Sequence, residues 1–347
     1  SDLISTAAVQ LLKFLFFRVM FLSGYGKLIS HCPAWRDLSA MRIHFQSQPI
    51  PHIGGYFAHI FLSDFTKELI SAATIYMEIV LPLLIYIPVQ YFQIWSFILQ
   101  ASIMKGIMAT GNFNFFNVLS VGIGLCSIDD EALHRFYPKF MLGLLGVFGR
   151  ITDSEKIAGE EHAGLAPRKG SSLTLGLFSS QLWDMLAFWI GNAYLFYTIF
   201  FKASSATLEW NLSFPDYFLK VNTPENLSYL IILIFTLGFV AIIRSFARAA
   251  LPTIKERPHS LENYLYLGGG LVLFIFVFGV SIPNFVGGMG QSMDKLPILR
   301  ENANLFKEIG AAGRLYNVGN GYGLFRSMTG LQGTPVIVFE GLLSSKS

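Results

Sequence analysis

Leu11-Leu-Lys-Phe-Leu-Phe-Phe-Arg-Val-Met-Phe-Leu-Ser-Gly-Tyr-Gly-Lys-Leu28 belongs in hydrocarbon, yet it carries a charge, Arg18, near its middle. A helix needs about 20 mostly apolar residues to cross a bilayer, and the surrounding segment 5–28 supplies them. Six more segments read the same way: 69–88, 91–109, 113–128, 182–202, 227–246 and 264–284, the fourth being short for a span. The expectation is an all-α polytopic membrane protein with about seven transmembrane helices. The apolar patch Phe140–Phe148 is too short to span and reads as interfacial.

Composition agrees. Only 14% of the 347 residues are charged, against about 25% in an ordinary soluble domain. Mean hydropathy is +0.51. The 33 Phe and 14 Tyr suit lipid-facing helices and interfacial belts. A dispersed net charge of +3 argues against a nucleic-acid partner and leaves membrane lipid as the expected surroundings. No charged n-region with a small-residue cleavage site precedes the first span, so no signal peptide is read, and the start at Ser1 looks internal to a longer parent.

Charges inside such spans usually face partners within a bundle, since each costs about 2.5–3.5 kcal/mol near the bilayer centre. Arg18, Glu78, Lys105 and Asp184 fall in this class, with Lys13 a weaker member. Arg18 and Glu78 lie near the middles of the first two spans, where antiparallel neighbours would pair them. Lys105 can snorkel outward, and Asp184 can cap the fifth span. The functional reading is a polar cavity for a ligand or proton; the structural one is a pair that fixes helix register.

Orientation follows from the loops. Segment Arg244–Glu262 holds Arg244, Arg248, Lys255 and Arg257 and is assigned to the cytosol; Lys202–Glu225 is assigned to the lumen. The sequons at Asn211 and Asn226 fall on that lumenal side and make the chain a candidate glycoprotein. The N-terminus is then cytosolic, loop 29–68 lumenal and loop 129–181 cytosolic. Helices one to four fill 1–128; helices five to seven, with lumenal loop 203–226, fill 182–284. Cys32 and Cys126 fall on opposite faces and cannot bridge.

Beyond 285 the pattern changes. Leu299, Ala303, Phe306 and Ile309 share one side of a helix. Tyr322–Arg326 and Pro335–Glu340 then read as strands around a Gly330–Gly333 turn. Segment 285–347 is expected to be the start of a β-containing lumenal domain that continues past Ser347, because two strands alone bury little.

Asn112, Asn114 and Asn117 mark a tight lumenal turn between the third and fourth spans, where Asn caps helices and holds turns. His31, His44, His52 and His59 cluster with Cys32, but their spacing fits no zinc pattern, and neither metal nor cofactor is expected. No nucleophile elbow, phosphate loop or His-Glu-x-x-His is present.

These landmarks, taken in order, resemble the lipase maturation factor family of endoplasmic-reticulum membrane proteins. The resemblance runs through Phe17-Arg-Val-Met-Phe-Leu-Ser-Gly-Tyr-Gly-Lys-Leu28, Cys32-Pro-Ala-Trp35 and His44-Phe-Gln-Ser-Gln-Pro-Ile-Pro51. Tyr56-Phe-Ala-His59, Glu78-Ile-Val-Leu-Pro82, Thr110-Gly-Asn-Phe-Asn-Phe-Phe-Asn117 and Asp129-Asp130 continue it. Tyr322-Gly-Leu-Phe-Arg-Ser-Met-Thr-Gly330 looks like the start of the family's lumenal domain. The Cys-Pro-Ala-Trp and Asn-rich strings are similar to the factor 2 branch. The resemblance implies a non-enzymatic, chaperone-like protein of the endoplasmic-reticulum membrane that assists folding and assembly of secreted homodimeric lipases, its clients. It supplies no catalytic residues.

Two other function classes compete. One is a membrane-embedded enzyme with a lipophilic or quinone-like cofactor, its helical core similar in style to vitamin K-dependent carboxylases, with Arg18, Glu78, Lys105 and His44 available for chemistry. The other is a transporter, for which no internal repeat or pair of interrupted helices speaks. A pocket lined by Glu78, Lys105 and the Asn turn would favour the enzyme. A dry interior with a direct Arg18–Glu78 bond would favour the scaffold.

Overall fold

The computed structural model describes residues 2–48, 50–87, 89–111, 115–128, 173–203, 210–212, 223–256, 261–315, 327–328 and 331. In chain order the elements are α1 (Asp2–Ile29), α2 (Pro33–Arg36), α3 (Ala40–Gln46), α4 (Ile53–Phe61), α5 (Asp64–Leu84), α6 (Gln90–Thr110) and α7 (Phe115–Gly124). There follow α8 (Leu173–Phe200), β1 (Phe201–Ala203), β2 (Trp210–Leu212), α9 (Pro224–Glu256), α10 (Leu261–Gly288) and α11 (Ala303–Leu315).

Each of the seven expected spans falls on a helix: α1, α5, α6, α7, α8, α9 and α10. Among the described residues, two stretches are both long and apolar enough to cross a membrane, Ala8–Ile29 and Gly268–Gly288, with mean hydropathies of 1.3 and 2.1. Phe115–Ser127 and Glu225–Ala241 are apolar but shorter. Helix α5 is less apolar because Asp64, Lys67, Glu68 and Glu78 lie along it.

Helix α1 is the hub and packs on α5, α7, α9 and α10. Its apolar residues line more than one face, as a helix surrounded by others requires. Phe14, Phe17, Phe21 and Tyr25, spaced three and four apart, meet Ile231 and Phe235 of α9 and Phe278 and Phe285 of α10. The rings interlock, with centroids of Phe14 and Phe278 5.0 Å apart and those of Phe21 and Phe285 5.9 Å apart. Phe16 and Met20, on another face, pack with Phe97, Ala101 and Met104 of α6.

The segment expected as a lumenal loop at 29–68 is a small helical assembly. Cys32, Ala34, Trp35, Leu38 and Ala40 are buried against α5, where Ala72, Ile75 and Tyr76 receive them. Ser71 of α5 accepts a hydrogen bond from Met41 N at 3.2 Å, fixing the start of α3. Helix α4 lies on the end of α6 so closely that a Cβ on Gly54 would stand 1.9 Å from Ala109 O. Only glycine fits there.

Two parts of the far end are described. Helix α11 forms where the Leu299–Leu315 spacing places one, with Leu299, Ala303 and Phe306 joining the core shared by α9 and α10. Met328 N donates to Cys32 Sγ at 3.4 Å, tying the chain after α11 to the α2 region. Cys32 and Cys126 are both free thiols, Cys32 buried. Strands β1 and β2 pair antiparallel, Lys202 opposite Asn211, across the end of the fifth expected span and the loop that follows it. The expected strands Tyr322–Arg326 and Pro335–Glu340, the patch Phe140–Phe148 and Asn112 and Asn114 lie outside the described residues.

Candidate functional site

The site begins with a close approach. A Cβ on Gly24 would stand 2.7 Å from Ile79 Cγ1 and 2.8 Å from Glu78 Cβ, so the missing side chain lets α1 and α5 touch. Ser23 and Lys27, one residue before and three after, flank this contact on α1. Pro82, inside α5, has no N–H to give to the Glu78 carbonyl four residues earlier, which loosens the α5 ladder at this level.

Glu78 is held there by α1. Lys27 Nζ lies 2.5 Å from its Oε2, and Ser23 Oγ donates to its Oε1 at 3.3 Å. The ammonium also donates to Ser23 Oγ at 3.1 Å and Ser23 O at 3.3 Å, so its three N–H groups have three acceptors. Trp35 of α2 places its ring 5.2 Å from Nζ, a cation–π contact. Both charged side chains are nearly sealed, 2% and 4% exposed.

This corrects the expected Arg18–Glu78 pair. Arg18 is buried, but it lies nine residues before Lys27 on α1, about 13 Å along the helix. The real partner was missed because a lysine at the end of a span reads as a snorkelling anchor. The signal available was Ser23-x-x-x-Lys27 beside Gly24: two polar groups one turn apart, next to a residue that permits close packing.

The other expected positions scatter. Lys105 is exposed on α6. Asp184 is half-buried and sits eleven residues after Leu173, the first residue of α8, so it is interior to the helix and not its cap. Lys13 is buried on α1. Asn117 is buried, its Nδ2 3.7 Å from Met104 Sδ, which joins α7 to α6. Asn226 is exposed in the first turn of α9, and Asn211 lies in β2.

The four histidines do separate jobs. His52 Nδ1 accepts from Gly54 N at 3.1 Å and caps α4. His59 bonds Gln46 at 3.2 Å, and His31, in the left-handed region at φ 55°, meets Arg36. His44 pairs with Gln48 at 2.8 Å. Burial, and after it the positive charge of Lys27, holds the His44 imidazole below its usual value.

Beside the Lys27–Glu78 pair is a cavity of about 350 Å³ walled by α1, α2, α3, α5, α6 and Met328. Glu78, Lys27, Trp35 and His44 are among its polar residues, with Thr74, Ser102 and Thr110; Met41, Ile70, Met77, Ile103 and Ile107 are among its apolar ones. Lys105 is not in its wall. Such a chamber can hold an apolar body with one or two directed polar contacts.

Every wall residue except Met328 falls within residues 3–135, which match the family described as lipase maturation factor transmembrane domain. Lipase maturation factor 2 of Xenopus tropicalis is 27% identical over 337 residues, covering 95% of this chain and 43% of that protein. The chain is similar to lipase maturation factors, and its first third matches the model of their transmembrane domain. The mouse factor 2 is 37% identical over 123 residues, 35% of this chain and 17% of its own length. Lipase maturation factor 1 of Bos taurus is 29% identical over 178 residues, half of this chain and 30% of that protein. The chain thus spans less than half the length of these curated family members. No solved structure matches it.

Proposed function

We propose that this chain is the membrane part of a maturation factor that assists folding and assembly of secreted homodimeric lipases in the endoplasmic reticulum. One observation carries the reading: likeness to lipase maturation factor 2 along 95% of the chain. Under it, α1, α5, α6, α7, α8, α9 and α10 all cross the bilayer, with the N-terminus and 129–181 cytosolic. Segments 29–68, 203–226 and 285–347 face the lumen, the last opening the domain that meets the client. Helix α5 crosses despite its charges because Glu78 is paired inside the protein.

Affinity capture of the full-length parent from microsomes of lipase-secreting cells tests the client. Newly made lipase should be recovered with it, and recovery no greater than with an unrelated membrane protein of the same compartment overturns the reading. Orientation has its own test. Glycosidase should shift the microsomal product, and Asn211→Gln should remove most of the shift; a glycan on a sequon inserted in 129–181 reverses the topology.

The second reading, a membrane-embedded enzyme with a lipophilic cofactor, draws on the cavity beside Glu78. Against it, Lys27 and Glu78 satisfy each other and Lys105 stands outside. The maturation factor is therefore placed first.

A further inference from the structure

We propose that the cavity beside Lys27 and Glu78 is a binding site for one uncharged lipophilic molecule. Its volume of about 350 Å³ suits a small ligand, at the lower end of the usual range of about 300–1,000 Å³. Met41, Leu62, Ile70, Met77, Ile103 and Ile107 give it an apolar wall, which selects an apolar body.

One observation selects an uncharged occupant: the charges of Lys27 and Glu78 in the wall cancel. Glu78 neutralises Lys27 at 2.5 Å, and the remaining ammonium N–H groups go to Ser23. A charged head would be desolvated with no counter-charge to meet it, which excludes carboxylates and quaternary amines.

The surroundings indicate the supply. Ser102 and Gly106 of α6 line the cavity and are also exposed. Helix α4, which ends at the wall residue Leu62, exposes Ile53, Tyr56, Phe57, Ile60 and Phe61, the apolar set of an interfacial helix. The ligand therefore arrives from the bilayer. Acylglycerols and isoprenoid quinones share the required chemistry. The inference depends on the membrane placement above and not on the lipase client, so failed client capture leaves it standing.

The test uses the full chain in nanodiscs with two photoreactive probes, a monoacylglycerol and a prenylated quinone, and mass-spectrometric mapping of labelled peptides. At least one probe should label 102–110 saturably, and which one does identifies the source; failure of both overturns the site. Gly106 has open space where a Cβ would go, so Gly106→Leu fills the cavity without strain. It should cut labelling about tenfold or more, while Gly122→Leu, the same change at an open glycine of α7, should not. Labelling indifferent to Gly106→Leu refutes the cavity. A fatty-acid carboxylate competing better than its ester refutes the uncharged occupant.

Discussion

Helix α5 carries ion pairs at two depths, and the same chemistry does different work at each. Near its start, Arg42 of α3 holds Asp64 at 3.4 Å and also Glu68, with side chains 38%, 63% and 27% exposed. Ten residues after Glu68, about 15 Å along the axis, Glu78 meets Lys27 with almost nothing exposed. The outer pair forms and breaks in water. The inner pair has given up its hydration and has only Ser23, Trp35 and itself in return. Burying such a pair adds little net stability, but breaking it is costly, so it specifies register more than it strengthens the fold. Helix α1 cannot slip one turn along α5 without stranding both charges.

That difference predicts the largest effect. Lys27→Leu and Glu78→Leu should each destabilise the chain by about 3–5 kcal/mol, since each leaves one buried charge alone. The double change should cost less than the two singles summed, because no charge remains. Folded monomer surviving a temperature ramp in detergent reads this directly. Additive losses would remove the distinction between the two ends of α5.

The contact that permits the inner pair comes next. Gly24→Val puts carbon within 3 Å of Ile79 Cγ1 and Glu78 Cβ and within 3.1 Å of the Glu78 backbone, which cannot give way as a side-chain end can. Overpacking of this kind costs about 1–3 kcal/mol. Gly122→Ala, on open surface of α7, should instead gain up to about 1 kcal/mol of helix propensity. A Gly24→Val protein as stable as its parent would show that α1 and α5 tolerate separation and that Lys27 reaches Glu78 without a tight seam.

How much of this was legible in the sequence depends on the kind of signal. Hydrophobic length placed helices at all seven expected segments, because apolar runs of that length have few other outcomes. The 3.6-residue spacing of Leu299, Ala303, Phe306 and Ile309 likewise gave α11. Glu78 stood out as a charge in an apolar run; its partner did not. Depth was assigned by counting from span ends, which pairs middle with middle and so chose Arg18. The structure instead brings the last turn of α1 against Glu78 and fills the space beyond with α2 and α3. That stagger depends on tertiary packing of Trp35 and Leu38, which no local period encodes. The cavity was illegible for the same reason, being assembled from five helices and Met328.

His44 of α3 lines the cavity with Lys27 and Glu78, and its response to pH probes that inner site. Burial and the Lys27 charge lower its folded value below the usual 6.5. The unfolded chain therefore binds the proton first, and stability is fully present above about pH 6.5 and falls as pH drops toward the folded value. Thermal midpoints between pH 7.5 and 5.5 should show this slope, and His44→Gln should flatten it. A slope unchanged by His44→Gln would mean that neither burial nor the Lys27 charge lowers the His44 value in the folded chain.

The smallest effect belongs to the outer pair. Arg42→Ala removes contacts to Asp64 and Glu68 that are already hydrated, and exposed ion pairs are worth about 0–1 kcal/mol. Losing the Arg42 stem from the α3–α5 contact can add a little to that. Salt decides how much is charge, because at 1 M the screening length is only about 3 Å. In high salt the parent should lose most of its advantage over Arg42→Ala, whereas the deficit of Glu78→Leu should persist, since ions do not enter the sealed contact with Lys27. Equal salt sensitivity of the two variants would mean that water and ions reach Glu78. The depth difference along α5, and with it the register argument for α1, would then fail together.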